Sequence, residues 1–212
     1  YSTAYCIIAL AYLMDVACGG SQLTRQDLRK AFELAQKSLS FDSSCTLPYV
    51  TLAFCYLISR QHFKAVEACK EAIRIDRNDS FAYAMLSLVL TYSGKSGEAI
   101  KAAERALRLN PNPPGYFYMY TGFAYYHNSM YEKALSLFKK AVVDAPNAIA
   151  THIRLAYCYS SMGREPEARS EVKAILKLNP KLSLAYFAEM YPYKNKADLD
   201  KIINALRKAG LK

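Results

Sequence analysis

The sequence predicts an all-α solenoid of about five helical hairpins with a C-terminal capping helix, and three observations point to it. Tyr118, Gly122, Tyr125, Ala134, Phe138, Ala141 and Pro146 recur 34 positions later as His152, Ala156, Tyr159, Ala168, Val172, Ile175 and Pro180. A fixed period of that length is the signature of stacked helical hairpins, because one hairpin cannot bury its own apolar face. Hydrophobic residues make up 52% of the 212, enough for a continuous core. No run of about 18 apolar residues is present, so no membrane-spanning helix is expected.

The hairpins follow in order. The first, residues 2–44, has Tyr5, Ile8, Ala9 and Tyr12 on one helix and Ala31 and Leu39 on the next. Tyr1 to Met14 is apolar but lacks a basic front and a cleavage site, so it reads as a helix and not as a signal peptide. An expanded loop, Asp15 to Gln26, carries Gly19-Gly20-Ser21 and reads as a surface insertion. Thr24 followed by Asp27 predicts a capped start for the second helix. The second hairpin, 46–79, has Tyr49, Leu52, Ala53, Tyr56, Ala65 and Ala72, with Arg77 where later units place a closing proline.

The third, 80–113, has Tyr83, Leu86, Gly94, Ala99, Ala106, Leu109 and Pro111. One extra residue in Asn112-Pro113-Pro114-Gly115 shifts the register before the fourth, 115–148. There Gly122 and Ala134 are small because two helices must approach, and Pro146 ends the unit. The fifth, 149–182, repeats that pattern. In the cap, 183–212, Leu182 to Met190 predicts one more helix, and Tyr191-Pro192-Tyr193 breaks it. Asp198 to Lys208 then carries Leu199, Ile202, Ile203 and Leu206 on one stripe. This segment is expected to cover the last open core face. The whole reads as one domain, and its start inside a repeat suggests excision from a longer protein.

The small-and-aromatic pattern resembles the tetratricopeptide repeat (TPR). The column Ala31, Ala65, Ala99, Ala134 and Ala168 advances in steps of 34, 34, 35 and 34, and the five units cover residues 3–181. That resemblance implies a right-handed superhelix that binds other proteins. A narrower resemblance rests on Leu109-Asn110-Pro111-Asn112-Pro113-Pro114, Tyr191-Pro192-Tyr193, Ala197-Asp198-Leu199 and Leu206-Arg207-Lys208-Ala209-Gly210-Leu211. These are similar to the C-terminal TPR region of bacterial class III adenylate/guanylate cyclase-type proteins. Related tails also occur on winged-helix regulators, so the attached domain stays open. No cyclase residue can be carried over to this chain.

In such a stack the first helix of each hairpin lines the concave face. The central inward column reads Leu10, Phe54, Leu88, Phe123 and Tyr157. The column before it reads Cys6, Val50, Ala84, Met119 and Ile153, and the column after reads Leu13, Leu57, Thr91, Tyr126 and Ser160. This apolar ladder suits an amphipathic helix, an extended hydrophobic segment or a second copy of the chain. The alternative is a ladder filled by neighbouring helices. The candidate partner-binding residues are Phe54, Leu88, Tyr92, Tyr116, Met119, Phe123, Tyr126, Ile153, Arg154 and Tyr157. With Arg154 the one nearby cation, the clamp by which chaperone-binding TPRs hold two carboxylates is not expected.

Lys and Arg total 28 against 18 acids, a net charge of +10. The basic residues spread along the second helices and the C-terminus, which fits a solvated outer face. The competing reading is a nucleic-acid surface around Lys194, Lys196, Lys201, Arg207, Lys208 and Lys212, with Tyr191 and Tyr193 to stack on bases. Cys6, Cys18, Cys45, Cys55, Cys69 and Cys158 have no pair at the two-residue gap of zinc or redox motifs. They read as reduced, buried thiols of a cytoplasmic protein. His62, His127 and His152 lie apart in the repeat frame and read as surface or capping residues. Ser93-Gly94-Lys95-Ser96-Gly97 lacks the spacing of a phosphate loop and reads as a turn. No cofactor, metal or catalytic constellation is expected.

Overall fold

A computed structural model describes residues 6, 7, 9, 10 and 24–212. The predictions for Tyr1, Tyr5, Ile8, Tyr12, Leu13, Cys18 and the glycine-rich part of the first loop lie outside the described residues. Cys6, Ile7, Ala9 and Leu10 are helical. Among the described residues eleven further helices follow: α1 (Arg25–Phe41), α2 (Leu47–Ile58), α3 (His62–Ile75), α4 (Ser80–Tyr92), α5 (Ser96–Leu109), α6 (Gly115–His127), α7 (Tyr131–Asp144), α8 (Ile149–Ser161), α9 (Glu165–Leu178), α10 (Leu184–Met190) and α11 (Lys196–Lys208). No strand occurs among the described residues. Helices α2 to α9 pair as four antiparallel hairpins, each stacked on the next. The α-solenoid is therefore as the period predicted.

The helix ends follow local chemistry. Thr24 and Asp27 form a reciprocal capping box at α1, the threonine hydroxyl accepting the Asp27 N–H at 3.1 Å. Asp79 accepts the N–H groups of Phe81 and Ala82 at the start of α4. Ser183 and Asn195 cap α10 and α11 in the same way. Inside each hairpin the turn places one residue in the left-handed region: Arg60, Gly94, Ser129 and Gly163, with φ of 58°, 78°, 59° and 73°. These positions are 34, 35 and 34 apart. Glycine adopts this conformation freely, whereas for arginine and serine it costs on the order of 1 kcal/mol each.

The core is a column of small residues with large ones fitted beside it. Ala65, Ala99, Ala134 and Ala168 are all fully buried. At Gly122 a methyl group would lie 2.7 Å from the Phe138 ring and 3.1 Å from the Ala134 carbonyl oxygen, so only glycine fits without movement. One repeat on, Ala156 and Val172 hold the equivalent positions: the larger residue on one helix goes with a smaller one on the other.

The C-terminal segment departs from the expectation. Its helices form where predicted, but they do not simply stack on the end of the last hairpin. The segment turns back at Asn179–Ser183 and enters the concave side of the stack. There α11 packs on the inner helix α8, and the Lys194 N–H donates to the Tyr92 carbonyl at 3.0 Å. At its far end the Lys212 carbonyl accepts the Leu184 N–H at 2.8 Å, closing the segment on itself.

Candidate functional site

The concave face is built from α2, α4, α6 and α8, and it carries the predicted ladder. Phe54, Leu88, Tyr92, Met119, Phe123, Tyr126, Ile153, Arg154 and Tyr157 are all buried there. Tyr116 is the exception. It sits at the first turn of α6, half-buried against Phe81 and Tyr120, with ring centroids 5.7 and 5.8 Å away. The ladder is covered by the chain's own residues 182–206, so the groove is occupied in cis. This differs from both an open channel and one filled by neighbouring repeat helices.

Tyr193 is the anchor of that segment. Its ring meets Tyr92 at 5.0 Å, His127 at 5.6 Å and Phe123 at 6.1 Å, and Tyr92 in turn meets Phe123 at 4.8 Å. Edge-on and tilted ring contacts of this kind add to the area each ring buries. Beside this cluster Tyr126 packs on Tyr157 at 4.4 Å and donates or accepts a hydrogen bond with Ser161 at 2.7 Å. The Lys201 ammonium of α11 lies over the rings of Tyr126 and Tyr131, at 5.3 and 5.5 Å.

The backbone of the segment is held as well. Arg60 reaches from the α2–α3 turn and donates to three carbonyl oxygens: Glu189 at 3.0 Å, Tyr191 at 3.3 Å and Tyr193 at 3.3 Å. This is the turn position at which two of the four hairpins have glycine. The arginine keeps a strained backbone and ties down a segment far along the chain, with 129 to 133 residues separating the partners.

Two histidines also correct the surface reading. His127, at the end of α6, is half-buried among Phe123, Tyr126 and Tyr193, with Nε2 3.4 Å from the Tyr193 hydroxyl. Burial, with Lys201 and Arg154 nearby, pushes its pKa down to about 3. His152 has the acidic partner that its sequence neighbours lack: Nδ1 is 2.6 Å from the Glu171 carboxylate, and Nε2 is 2.8 Å from the Pro146 carbonyl. The carboxylate raises its pKa. The Glu171 contact crosses from α8 to α9 and the Tyr193 contact comes from the loop before α11, so spacing along one helix could not show them.

The cysteines Cys6, Cys55, Cys69 and Cys158 are buried, as expected, and Cys45 is half-buried. Burial pushes the Cys55 and Cys158 thiols up to about 12. Among the described residues no cluster of three or more His, Cys, Asp or Glu could hold a metal ion, and no helix is long and apolar enough to cross a membrane.

Part of the concave face stays open between the ladder and the returning segment. It is a cavity of about 70 Å³. Leu57, Leu88, Met119 and Ile153 form one wall, and Tyr186, Met190 and Pro192 form the other. Arg154 lines it too. Sequence reasoning missed Arg60, Tyr186, Met190 and Pro192 as parts of this site. The signal for Arg60 was present: an arginine where the repeat's turns call for glycine.

The fold and its inner face define a class of molecule: a solenoid of helical hairpins whose concave side holds a polypeptide segment. Models of the tetratricopeptide repeat match residues 82–113 and 125–188, so these stretches carry TPR repeats. No curated protein matches the sequence. Solved structures share the fold. The type IV pilus biogenesis factor PilW is similar with a TM-score of 0.68 at 16% identity, covering 98% of this chain and 88% of PilW. TTC0263, a thermophilic TPR protein of Thermus thermophilus, has a TM-score of 0.67 at 20% identity, covering 98% of this chain and 100% of its own. YrrB, a TPR protein with an unusual peptide-binding site, has a TM-score of 0.54 at 21% identity, covering 82% of this chain and 90% of its own.

Proposed function

We propose that the protein is an interaction module whose concave face binds an aromatic, partly extended polypeptide segment, and that residues 184–194 are the version of that ligand carried in cis. One observation carries this reading. The face already holds such a segment through an aromatic anchor at Tyr193 and through main-chain bonds made by Arg60 and the Tyr92 carbonyl. Main-chain bonds give affinity without reading sequence, and ring pockets supply the selection. The binding residues are the nine buried ladder members named above together with Arg60, and Tyr116 marks the edge of the face. The peptide-binding site of YrrB, a structure of the same fold, supports a segment ligand over an enzymatic role.

A partner segment, or the tail of a second copy, would compete with the resident tail. Relay of that exchange to an attached signalling domain such as a nucleotide cyclase rests on the sequence resemblance alone. The nucleic-acid reading is weakened at both of its stacking tyrosines: Tyr193 is buried in the aromatic cluster, and Tyr191 stacks on Phe187 at 4.1 Å, while Lys201 lies over tyrosine rings.

The test is competition with a labelled peptide spanning residues 182–195. The full chain should bind it weakly, the Tyr193→Ala chain should bind it at least tenfold more tightly because the resident tail is loosened, and adding Arg60→Ala to Tyr193→Ala should take back part of that gain because the peptide loses its main-chain bonds. Equal, undetectable binding by all three folded chains overturns the reading.

A further inference from the structure

Arg154 is unusual in its surroundings. It sits on α8, 4% exposed, in a cavity whose other walls are mostly hydrocarbon and aromatic. One guanidinium nitrogen donates to the Ala150 carbonyl at 2.9 Å, and the group lies 5.0 Å from the centre of the Phe123 ring. Nε has no hydrogen-bond partner, and neither has the neighbouring Tyr157 hydroxyl. No carboxylate of the described residues pairs with this arginine. The groups that surround its charge are the hydroxyls of Tyr92, Tyr157, Tyr191 and Tyr193. Burial raises the pKa of Tyr157 and Tyr193 well above the usual phenol range, so they are neutral and offer dipoles only. An arginine keeps its proton in proteins. A whole positive charge is therefore held out of water without a counter-charge, an arrangement that is strongly unfavourable elsewhere in proteins.

The cavity beside it measures about 70 Å³, several times the roughly 10–15 Å³ that one water requires. It is far too small for a polypeptide segment while the tail is in place. Its size and lining ask for a short hydrocarbon body ending in one negative charge. We infer that this cavity is a binding site for a small apolar monocarboxylate, with Arg154 as the group that recognises the carboxylate. The site lies between the ladder and the tail, with Phe54, Leu57 and Met119 on one side and Tyr186 and Met190 on the other. A bound acid touches both and holds the tail against the solenoid. The inference does not need the tail to leave, so it stands or falls apart from the exchange proposed above.

The probes are butanoate, pentanoate and hexanoate, each compared with the alcohol of equal length by calorimetry and by NMR titration of the full chain. The acids should bind at least tenfold more tightly than the alcohols, and affinity should rise up to roughly fourfold per added CH₂ until the cavity is full. Arg154→Met should abolish the preference for the acid while leaving alcohol binding and the fold intact. It should also leave thermal stability equal or higher, because an unpaired buried charge is removed. Arg154→Lys should restore part of the preference. Acids and alcohols binding alike would make this a plain apolar cavity and overturn the inference. So would no binding by either series, or a preference for acids that survives in Arg154→Met.

Discussion

Tyrosines on the two faces of the solenoid have opposite surroundings. On the outer side Tyr56, Tyr83, Tyr118, Tyr125 and Tyr159 are mostly half-buried, and a cation roofs each one: Lys64, Arg105, Lys140, Lys133 and Arg164, at 4.7 to 5.9 Å from the ring centres. On the inner side Tyr92, Tyr126 and Tyr157 are buried: from the tail, Tyr193 packs on Tyr92 and Lys201 lies over Tyr126, which packs on Tyr157. The outer roof comes from the following helix or, for Arg164, from its N-cap, and is remade in successive repeats. The inner roof comes from the far end of the chain and is made once. The outer tyrosines thus stabilise the repeats, whereas the inner ones present a surface that a segment from elsewhere must complete. The basic excess also finds a use here, since several of its members shield outer rings.

The comparison breaks first at Tyr193. Tyr193→Ala removes a ring that is 6% exposed and contacts Tyr92, Phe123 and His127. It should cost about 3–5 kcal/mol in urea unfolding, as for other buried aromatics. Tyr83→Ala, on the outer face under Arg105, should cost only about 1 kcal/mol, mostly packing area. Equal costs would show that the tail contributes no more than an ordinary outer ring.

Gly122→Ala is expected to cost about 1–3 kcal/mol, because the new methyl meets Phe138 at 2.7 Å. The double change Gly122→Ala with Phe138→Val copies the Ala156 and Val172 pair of the next repeat. It should cost less than the sum of the two single changes, and thermal melts of the three variants decide it. Strictly additive costs would mean that the two positions do not compensate one another.

The repeats were legible because their rules are local. The alanine column, the turn glycines and the half-buried tyrosines recur at 34 or 35 residues, and each answers to a neighbour within about one repeat. Seven of the nine buried residues, Phe54, Leu88, Met119, Phe123, Tyr126, Ile153 and Tyr157, were legible for the same reason, since inward columns follow from the period; Tyr92 and Arg154 each stand one position beyond a column member. The returning tail was not. Tyr191-Pro192-Tyr193 reads as a helix break, which it is, but nothing local says that Tyr193 packs on Tyr92. Likewise the Glu171 partner of His152 sits on the next helix, and the Arg60 contact with Tyr193 joins residues 133 apart. A period fixes what each repeat does to the next, and a single long-range contact leaves no period.

Arg60 sharpens the comparison with a smaller effect. Arg60→Gly relaxes the left-handed turn, worth roughly 1 kcal/mol, and removes the bonds to Glu189, Tyr191 and Tyr193. Global stability should change by less than about 1 kcal/mol in either direction as the two effects offset. Hydrogen exchange at the amides of residues 184–194 should nonetheless quicken relative to α6 and α8. Unchanged exchange in the tail would show that Arg60 is a surface contact without a clamping role.

The smallest effect is in pH, and it has opposite signs at the two histidines. His127 lies under the tail, and burial depresses its folded pKa to about 3, below the ordinary 6.5. Its contribution is complete above pH 6.5 and is lost as pH falls toward 3, because unfolding lets the ring take up a proton. His152 lies between repeat helices, and its Glu171 partner raises its folded pKa above 6.5. That contribution is complete below the ordinary value and is lost as pH rises through the folded one. His127→Gln should therefore flatten the fall in melting temperature between about pH 6 and 4, after the loss of packing is subtracted. His152→Gln should flatten the fall above neutrality and leave the acid side unchanged. His62, also lowered by burial, contributes to the acid side in both variants and cancels in the comparison. If His127→Gln runs parallel to the parent chain across that acid range, the tail does not enclose that ring in solution, and the contrast between a self-covered inner face and a cation-roofed outer face fails at its most sensitive point.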